Sequence, residues 1–292
     1  SKGEGHADVI ERFGASKAQD SAGGSGIAYY NGAIYAEQND KIIRYVLPKD
    51  PVSIAPTGEP DIIVSGLPLT GDHPMHPFII DAKGNIYVDI GSATNSCQID
   101  NRMPASLGHD PCTELETRAG TWRFDANKTD QHFSPAERYV TGLRNGEGFG
   151  FDSAGRLFAT QHGRDQLSQN FPKLYTPKQS AEQPAEEVVE LRQGADYGWP
   201  ECYYDNSQEK LVLAPEYGGD GGKTVGICAQ KTPPVAGFPG HWAPNDLAIY
   251  TGNAFPTAYR DGAFIAFHGS WNRAPMPPVS YTHLRAHETG RN

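Results

Sequence analysis

No apolar run in this 292-residue chain approaches the roughly 20 residues needed to cross a bilayer, which excludes a membrane-spanning helix. Basic residues are also scarce: 25 Lys and Arg stand against 35 Asp and Glu, a formal net charge of −10. Without basic clusters the chain lacks the electrostatic footprint of a nucleic-acid binder. Its four cysteines, Cys97, Cys112, Cys202 and Cys228, show no C-x-x-C spacing. That spacing argues against a zinc ribbon or a thioredoxin-type redox motif.

Breakers and aromatics are plentiful instead. The 33 Gly and 23 Pro make up about a fifth of the chain, against a usual share of about 12%. Dispersed breakers argue against a helical bundle or coiled coil. The 12 Phe and 14 Tyr argue against disorder. What remains is a soluble, turn-rich, mostly β domain with enough chain for a full core. Pairing the cysteines with their sequence neighbours, Cys97–Cys112 and Cys202–Cys228, would staple two Gly-, Pro- and Asp-lined loops. That pattern predicts a secreted or periplasmic protein; the alternative is four buried thiols in a reducing compartment.

A weak internal repeat organises the chain. Gly26–Ala36, Phe78–Val88 and Phe149–Ala159 each read as a β-rich run, an Asp/Asn-Gly type turn and a second β-rich run, which is a hairpin signature. A looser copy begins at Leu247-Ala-Ile-Tyr250 and resumes over Asp261–Ala266. The turn glycines Gly32, Gly84, Gly155 and Gly262 are spaced for blades of about 40–50 residues with long insertions, the last interval holding two blades. Outer strands are predicted at Lys41–Val46, Thr121–Phe124 and Glu186–Leu191. Four-stranded units repeating about an axis make an all-β propeller, expected as a single domain over residues 1–278. The tail from Val279 to Asn292 breaks the pattern and resembles translated sequencing-adapter read-through. It is expected to be non-native, with His283 and His287 not a metal pair and the propeller incomplete at both termini. The insertions 92–120, 160–185 and 198–245 are where function is expected, since rigid blades hold such loops over the channel.

Four phrases carry candidate chemistry. Gly71-Asp-His-Pro-Met-His-Pro-Phe78 places two histidines before a strand, where an imidazole can take a proton from a substrate hydroxyl; alone, either is more often structural. Thr141–Gly148 presents Arg144 and Asn145 between glycines, a cation and an amide suited to an acidic ligand, or simply a turn with a solvated Arg. Ala195–Pro200 is a Pro-constrained aromatic loop whose carbonyls would suit Ca²⁺, or a packed corner. The last, His268-Gly-Ser-Trp-Asn-Arg273, follows a strand directly.

Together the phrases TGLRNGEGFGFD, ATQHGRDQL, ADYGWPECYYD, LAPEYGGDG, HWAPNDLAIY and AFHGSWNRAP resemble the soluble PQQ-dependent sugar dehydrogenases of the glucose/sorbosone dehydrogenase family. The likeness is nearest the sorbosone-dehydrogenase-like branch and spans about residues 26–277. It implies a six-bladed β-propeller holding pyrroloquinoline quinone (PQQ) beside Ca²⁺. It makes His73 the general base, with His76 as the alternative, and puts His73, Arg144, Asn145 and Arg273 on the cofactor. Gly198, Trp199 and Pro200 fall on the Ca²⁺ loop. The implied reaction is oxidation of an aldose or sugar aldehyde, with electrons passed to an external cytochrome or quinone. Two other classes compete: a Ca²⁺-dependent lactonase-like propeller hydrolase and a non-catalytic propeller that binds sugars or proteins.

Overall fold

The computed structural model describes residues 5, 7, 9–14, 24–49, 53, 55–56, 58–270 and 272–273, together with the backbone of Ser280–Leu284. Among them the chain runs sheet by sheet. The first sheet holds β1 (Ile27–Tyr30), β2 (Ala33–Gln38), β3 (Lys41–Val46) and β4 (Asp61–Ser65) in antiparallel order. The second holds β5 (Phe78–Ile80), β6 (Asn85–Ile90), β7 (Gly120–Asp125) and β9 (Arg138–Thr141). Between the last two, the short β8 (Gln131–His132) returns to pair in parallel with β4.

The third sheet is β10 (Gly146–Phe151), β11 (Leu157–Gln161), β12 (Glu186–Glu190) and β15 (Ala236–Phe238). Two short helices, α1 (Leu167–Asn170) and α2 (Pro177–Glu182), sit between β11 and β12. A separate hairpin of β13 (Cys202–Asp205) and β14 (Lys210–Leu213) is inserted before β15. The fourth sheet is β16 (Pro244–Ile249), β17 (Ala263–Phe267) and β18 (Ser280–Leu284).

Strand alternation explains the stacking. Successive side chains leave a strand on opposite faces. On β6, Ile86, Val88 and Ile90 pack with Tyr35, Ile42 and Ile63 of the first sheet. Tyr87 between them turns the other way, onto Phe149, Leu157 and Val189 of the third. On β11, Phe158 in turn faces Leu247, Ile265 and Phe267 of the fourth sheet. The second and third sheets are thus apolar on both faces and sandwiched by their sequence neighbours, the layering of a β-propeller. The innermost strands approach closely: a Cβ on Gly148 would lie 2.5 Å from the Leu247 backbone N.

All four repeat copies are hairpins, joined as expected. The Asn31-Gly32 turn has φ of 45° and 77° at its two central residues, the signature of a two-residue type I′ connection. The three predicted outer strands are β3, the body of β7 and β12. Both predicted disulfides form, Cys97–Cys112 and Cys202–Cys228. The last turn interval is corrected. It holds the rest of one four-stranded sheet, the β13–β14 hairpin and β16, not two blades, so the described residues make four stacked sheets plus that two-stranded hairpin and no closed six-bladed ring. Of the expected non-native tail, only the backbone of β18 lies within the described residues, antiparallel to β17. No described helix is long and apolar enough to cross a membrane.

Candidate active site

In an up-and-down sheet, the start of the first strand, the end of the second and the start of the third meet at one edge. Residues from three of the four phrases singled out above cluster there. His73 precedes β5, Arg144 precedes β10 and Ala243 precedes β16; His162 follows β11, Glu186 opens β12, and His268, Gly269 and Ser270 follow β17. These residues, with Gly163, Asp165 and His241, line a cavity of about 400 Å³, within the range of small-molecule sites.

His73 is held from behind. Its Nδ1 lies 2.9 Å from the Ser92 carbonyl oxygen, so that nitrogen carries the hydrogen and Nε2 keeps its lone pair. The Ser92 backbone N donates in turn to the Arg144 carbonyl at 2.7 Å, so one residue ties both cavity walls. Glycine permits this packing: a Cβ on Gly91 would meet the His73 Cβ at 2.5 Å, and one on Gly71 (φ +96°) the Ala93 Cα at 2.5 Å. Burial, then the nearby Arg144 charge, holds the His73 imidazole well below its ordinary range. It is therefore an unprotonated base at neutral pH.

His76 is different. It is fully buried, with Nδ1 2.9 Å from Glu37 Oε1 and Nε2 2.9 Å from the Pro68 carbonyl. With both nitrogens committed to the fold, it has no free edge for a substrate.

Arg144 is buried and braced. Its Nε donates to the Asn95 carbonyl (3.1 Å), Nη1 to the Gly163 carbonyl (2.9 Å), and Nη2 to Asn95 Oδ1 (3.0 Å) and Asp165 Oδ2 (3.1 Å). Burial would lift the Asp165 carboxyl, but Arg144, His241 and Arg102 together hold it below its usual value. Asn145 sits beside the cavity rather than in its wall. Its Nδ2 donates to Glu147 Oε1 at 3.0 Å and faces His162 Nδ1 at 3.4 Å. His162 Nε2 bonds the Pro244 carbonyl at 3.1 Å, and burial pushes this imidazole down to about 4.

Three expected site groups lie elsewhere. Arg273 reaches the carbonyls of Ala181 and Gly240 and the Glu182 carboxylate, at the end of α2, and is not in the cavity wall. Gly198 accepts the Cys202 N–H on its carbonyl at 2.8 Å. Trp199 and Pro200 line a separate crevice of about 20 Å³ behind Arg144, where Trp199 Nε1 donates to the Asn95 carbonyl at 3.1 Å.

The structure adds His162, Asp165, Glu186, His241 and His268. All but Glu186 fall inside the quoted phrases, so the signal was their positions beside strand ends. Glu186 opens an ordinary outer strand and gave no signal. His241 and Ala243 adopt positive φ (63° and 52°) at the cavity, a conformation that non-glycine residues hold only where the surroundings enforce it.

Stacked antiparallel sheets with a polar, imidazole-rich cavity at one edge make this a β-propeller protein with an open site. The chain belongs to the TrAA12-like family, whose sequence model matches residues 15–286. Among solved structures it is similar to an iodide structure of the Trichoderma reesei Carbohydrate-Active Enzymes Family AA12 (TM-score 0.70, 19% identity, 91% of this chain and 66% of that one). It is also similar to the holo form of the pyranose dehydrogenase PQQ domain from Coprinopsis cinerea (TM-score 0.67, 21% identity, 88% and 63%). Curated relatives include the PQQ-dependent pyranose dehydrogenase of Coprinopsis cinerea, 28% identical over 230 residues. An uncharacterized protein of Borreliella burgdorferi is 24% identical over 260 residues. The chain spans 30% and 59% of these two proteins' lengths.

Proposed function

We propose that the cavity binds PQQ and that the chain oxidises an aldose or sugar aldehyde there, with His73 as the general base. One observation carries this reading: a neutral imidazole, fixed through Nδ1, faces a cavity that also presents Arg144. The donor set suits the cofactor. PQQ is a planar ortho-quinone with three carboxylates, so its rim is mostly acceptors. The wall offers the positive charge of the Arg144 guanidinium, the His268 imidazole and the Ser270 hydroxyl, while the ring N–H groups of His162 and His241 go to the Pro244 and Ser180 carbonyls; Gly163 and Gly269 leave room for a flat ring. When bound, PQQ would supply the two-electron oxidant.

The chain's own residues do the rest. Nε2 of His73 takes the proton from the substrate hydroxyl, and the Ser92 carbonyl steadies the resulting imidazolium through Nδ1–H. Arg144 is oriented by Asn95, Gly163 and Asp165, so its charge is aimed before the ligand arrives. Asn95 and Arg102, which bond Arg144 and Asp165 from behind the wall, belong to the disulfide-bonded loop 92–120, to which we assign substrate choice. A sorbosone-type aldehyde and a closed aldose are both candidates. Electrons would leave to an external acceptor, and the two disulfides fit a secreted or periplasmic setting.

Calcium receives no step. The Gly198 carbonyl is already bonded to Cys202 N, and no group of three or more His, Cys, Asp or Glu side chains among the described residues is arranged for a metal ion. The hydrolase reading needs acidic side chains free to converge on such an ion, whereas Asp165 is engaged by Arg144 and Arg102.

The test is a PQQ titration of the purified chain followed by absorbance, with dye-coupled turnover on aldoses and sugar aldehydes. His73→Gln should keep PQQ bound within about threefold and lose roughly 10²–10⁴-fold in turnover. A folded chain that does not bind PQQ overturns the cofactor assignment; undiminished turnover in His73→Gln removes His73 as the base.

A further inference from the structure

Glu186 lines the cavity, is almost wholly buried, and plays no part in the chemistry above. It opens β12, paired across to Phe238 of β15. Its Oε1 accepts the His241 backbone N–H at 2.7 Å, and Oε2 accepts the Gly163 backbone N–H at 3.2 Å. Both donors belong to segments that wall the cavity, so the carboxyl group is fixed in place. Its neighbour on the strand, Glu187, takes the opposite face and accepts Gln161 Nε2 at 2.6 Å.

Among the described residues no cation is bonded to Glu186. Arg144 directs four of its five N–H donors to Asn95, Gly163 and Asp165. An ionised carboxylate so placed would sit in low dielectric beside the Asp165 carboxylate, and such a group holds its proton instead. The other ionisable groups around the cavity are His73, His162, His241 and His268. Arg144 and Asp165 offset one another, so the protonation state of Glu186 decides whether the cavity is neutral or carries an extra negative charge.

We propose that Glu186 is the cavity's proton-bearing ligand contact: a neutral carboxylic acid whose O–H donates to an acceptor oxygen of the bound anion, and whose ionisation weakens that binding. This rests on the reading that the ligand is the tricarboxylate PQQ. A neutral acid is the one state in which a glutamate can donate to a carboxylate or quinone oxygen rather than repel it. The direction of its titration agrees. Burial raises the Glu186 carboxyl to about 8; the Gly163 and His241 N–H bonds pull the other way, and the Asp165 charge adds to the rise. Burial holds His73, His162 and His241 below their ordinary value, so they stay neutral over the same alkaline window.

The experiment measures PQQ affinity for the whole chain from about pH 7 to about pH 9. If only the protonated acid binds, affinity falls about tenfold per pH unit above the group's pKa, or about tenfold over this range. Glu186→Gln, neutral and of the same shape, should keep its affinity within about twofold across the range; Glu187→Gln should keep the fall. A flat wild-type profile, or an equal fall in Glu186→Gln, overturns the proposal.

Infrared difference spectra of the ligand-free chain separate this from the cofactor reading. A protonated-carboxyl band present in the wild type at about pH 7, lost by about pH 9 and missing from Glu186→Gln supports the neutral acid even where PQQ does not bind. Absence of that band sinks the proposal whether or not PQQ binds. If Glu186→Gln does not fold, the wild-type and Glu187→Gln affinity profiles decide: a tenfold fall in both supports the proposal, and a flat one overturns it.

Discussion

At the scale of single residues, Asp165 does the most to hold the site together. Its Oδ2 accepts from Arg144 at 3.1 Å and from Arg102 at 3.3 Å; its Oδ1 accepts from Asn272 Nδ2 at 3.2 Å. It therefore ties three separate segments around one buried guanidinium. Asp165→Asn keeps the shape and removes the charge, leaving Arg144 with no ionised partner. Removing one member of a buried pair costs roughly 3–5 kcal/mol. Because Asp165 is 15% exposed, we expect the low end, about 3 kcal/mol, read as a lower denaturant midpoint. A variant as stable as the parent would show that Arg144 is held by Asn95 and Gly163 alone. This hub was half legible: Arg144 and the phrase containing Asp165 stand out, but nothing in their spacing says that they meet. Spacing was equally silent on Gly198, whose carbonyl accepts the Cys202 N–H in the fold. His73 and His76 look alike in sequence; only their partners, one carbonyl against a carboxylate and a carbonyl, separate the imidazole proposed as base from the strut.

At the scale of elements, the sheets read well because hairpin turns and strand alternation are local. Asn31-Gly32 announces its turn, and the residues of β6 announce two buried faces. The interval from Gly155 to Gly262 misled because its length suits two blades; part of that length goes instead to β13 and β14, where Cys202 and Leu211 pack with Cys228 in a small core of their own. Gly148 tests how far blade packing depends on one hydrogen atom. A Cβ there meets the Leu247 N at 2.5 Å and the Asp246 carbonyl carbon at 2.6 Å, both backbone atoms that cannot swing away. Gly148→Ala should therefore push β10 from β16 and destabilise by about 1–3 kcal/mol. Gly58→Ala, where an added Cβ meets nothing within 4 Å, should shift stability by no more than about 0.5 kcal/mol. Equal effects in denaturant melts would mean that the third and fourth sheets can separate slightly at no cost.

At the scale of the whole molecule, the buried ionisable groups set opposing limits on stability. Burial raises Glu186 to about 8 and Glu187 and Glu147 to about 7, against an ordinary 4.5. Over that span the folded chain holds protons that the unfolded chain has released, so stability falls as pH rises from about 4.5 to about 8. The imidazoles act in the other direction. Burial lowers His162 to about 4 and also lowers His73 and His241, against an ordinary 6.5. Below about 6.5 the unfolded histidines bind protons that the folded ones refuse, so stability falls as pH drops toward 4. The two sets oppose each other between about 4.5 and 6.5; above that, these acids act without opposition from the imidazoles. Thermal midpoints should peak on the acid side of neutrality and drop by about pH 8, by a few kcal/mol in order of magnitude at 1.36 kcal/mol per pKa unit. Glu186→Gln removes one alkaline contributor, so its midpoint should gain on the wild type at about pH 8 and not at about pH 4.5. A wild-type midpoint that climbs from about pH 6 to about pH 8 would mean that these carboxyls are ionised in the folded chain. The charge balance assigned to the cavity would then be wrong along with them.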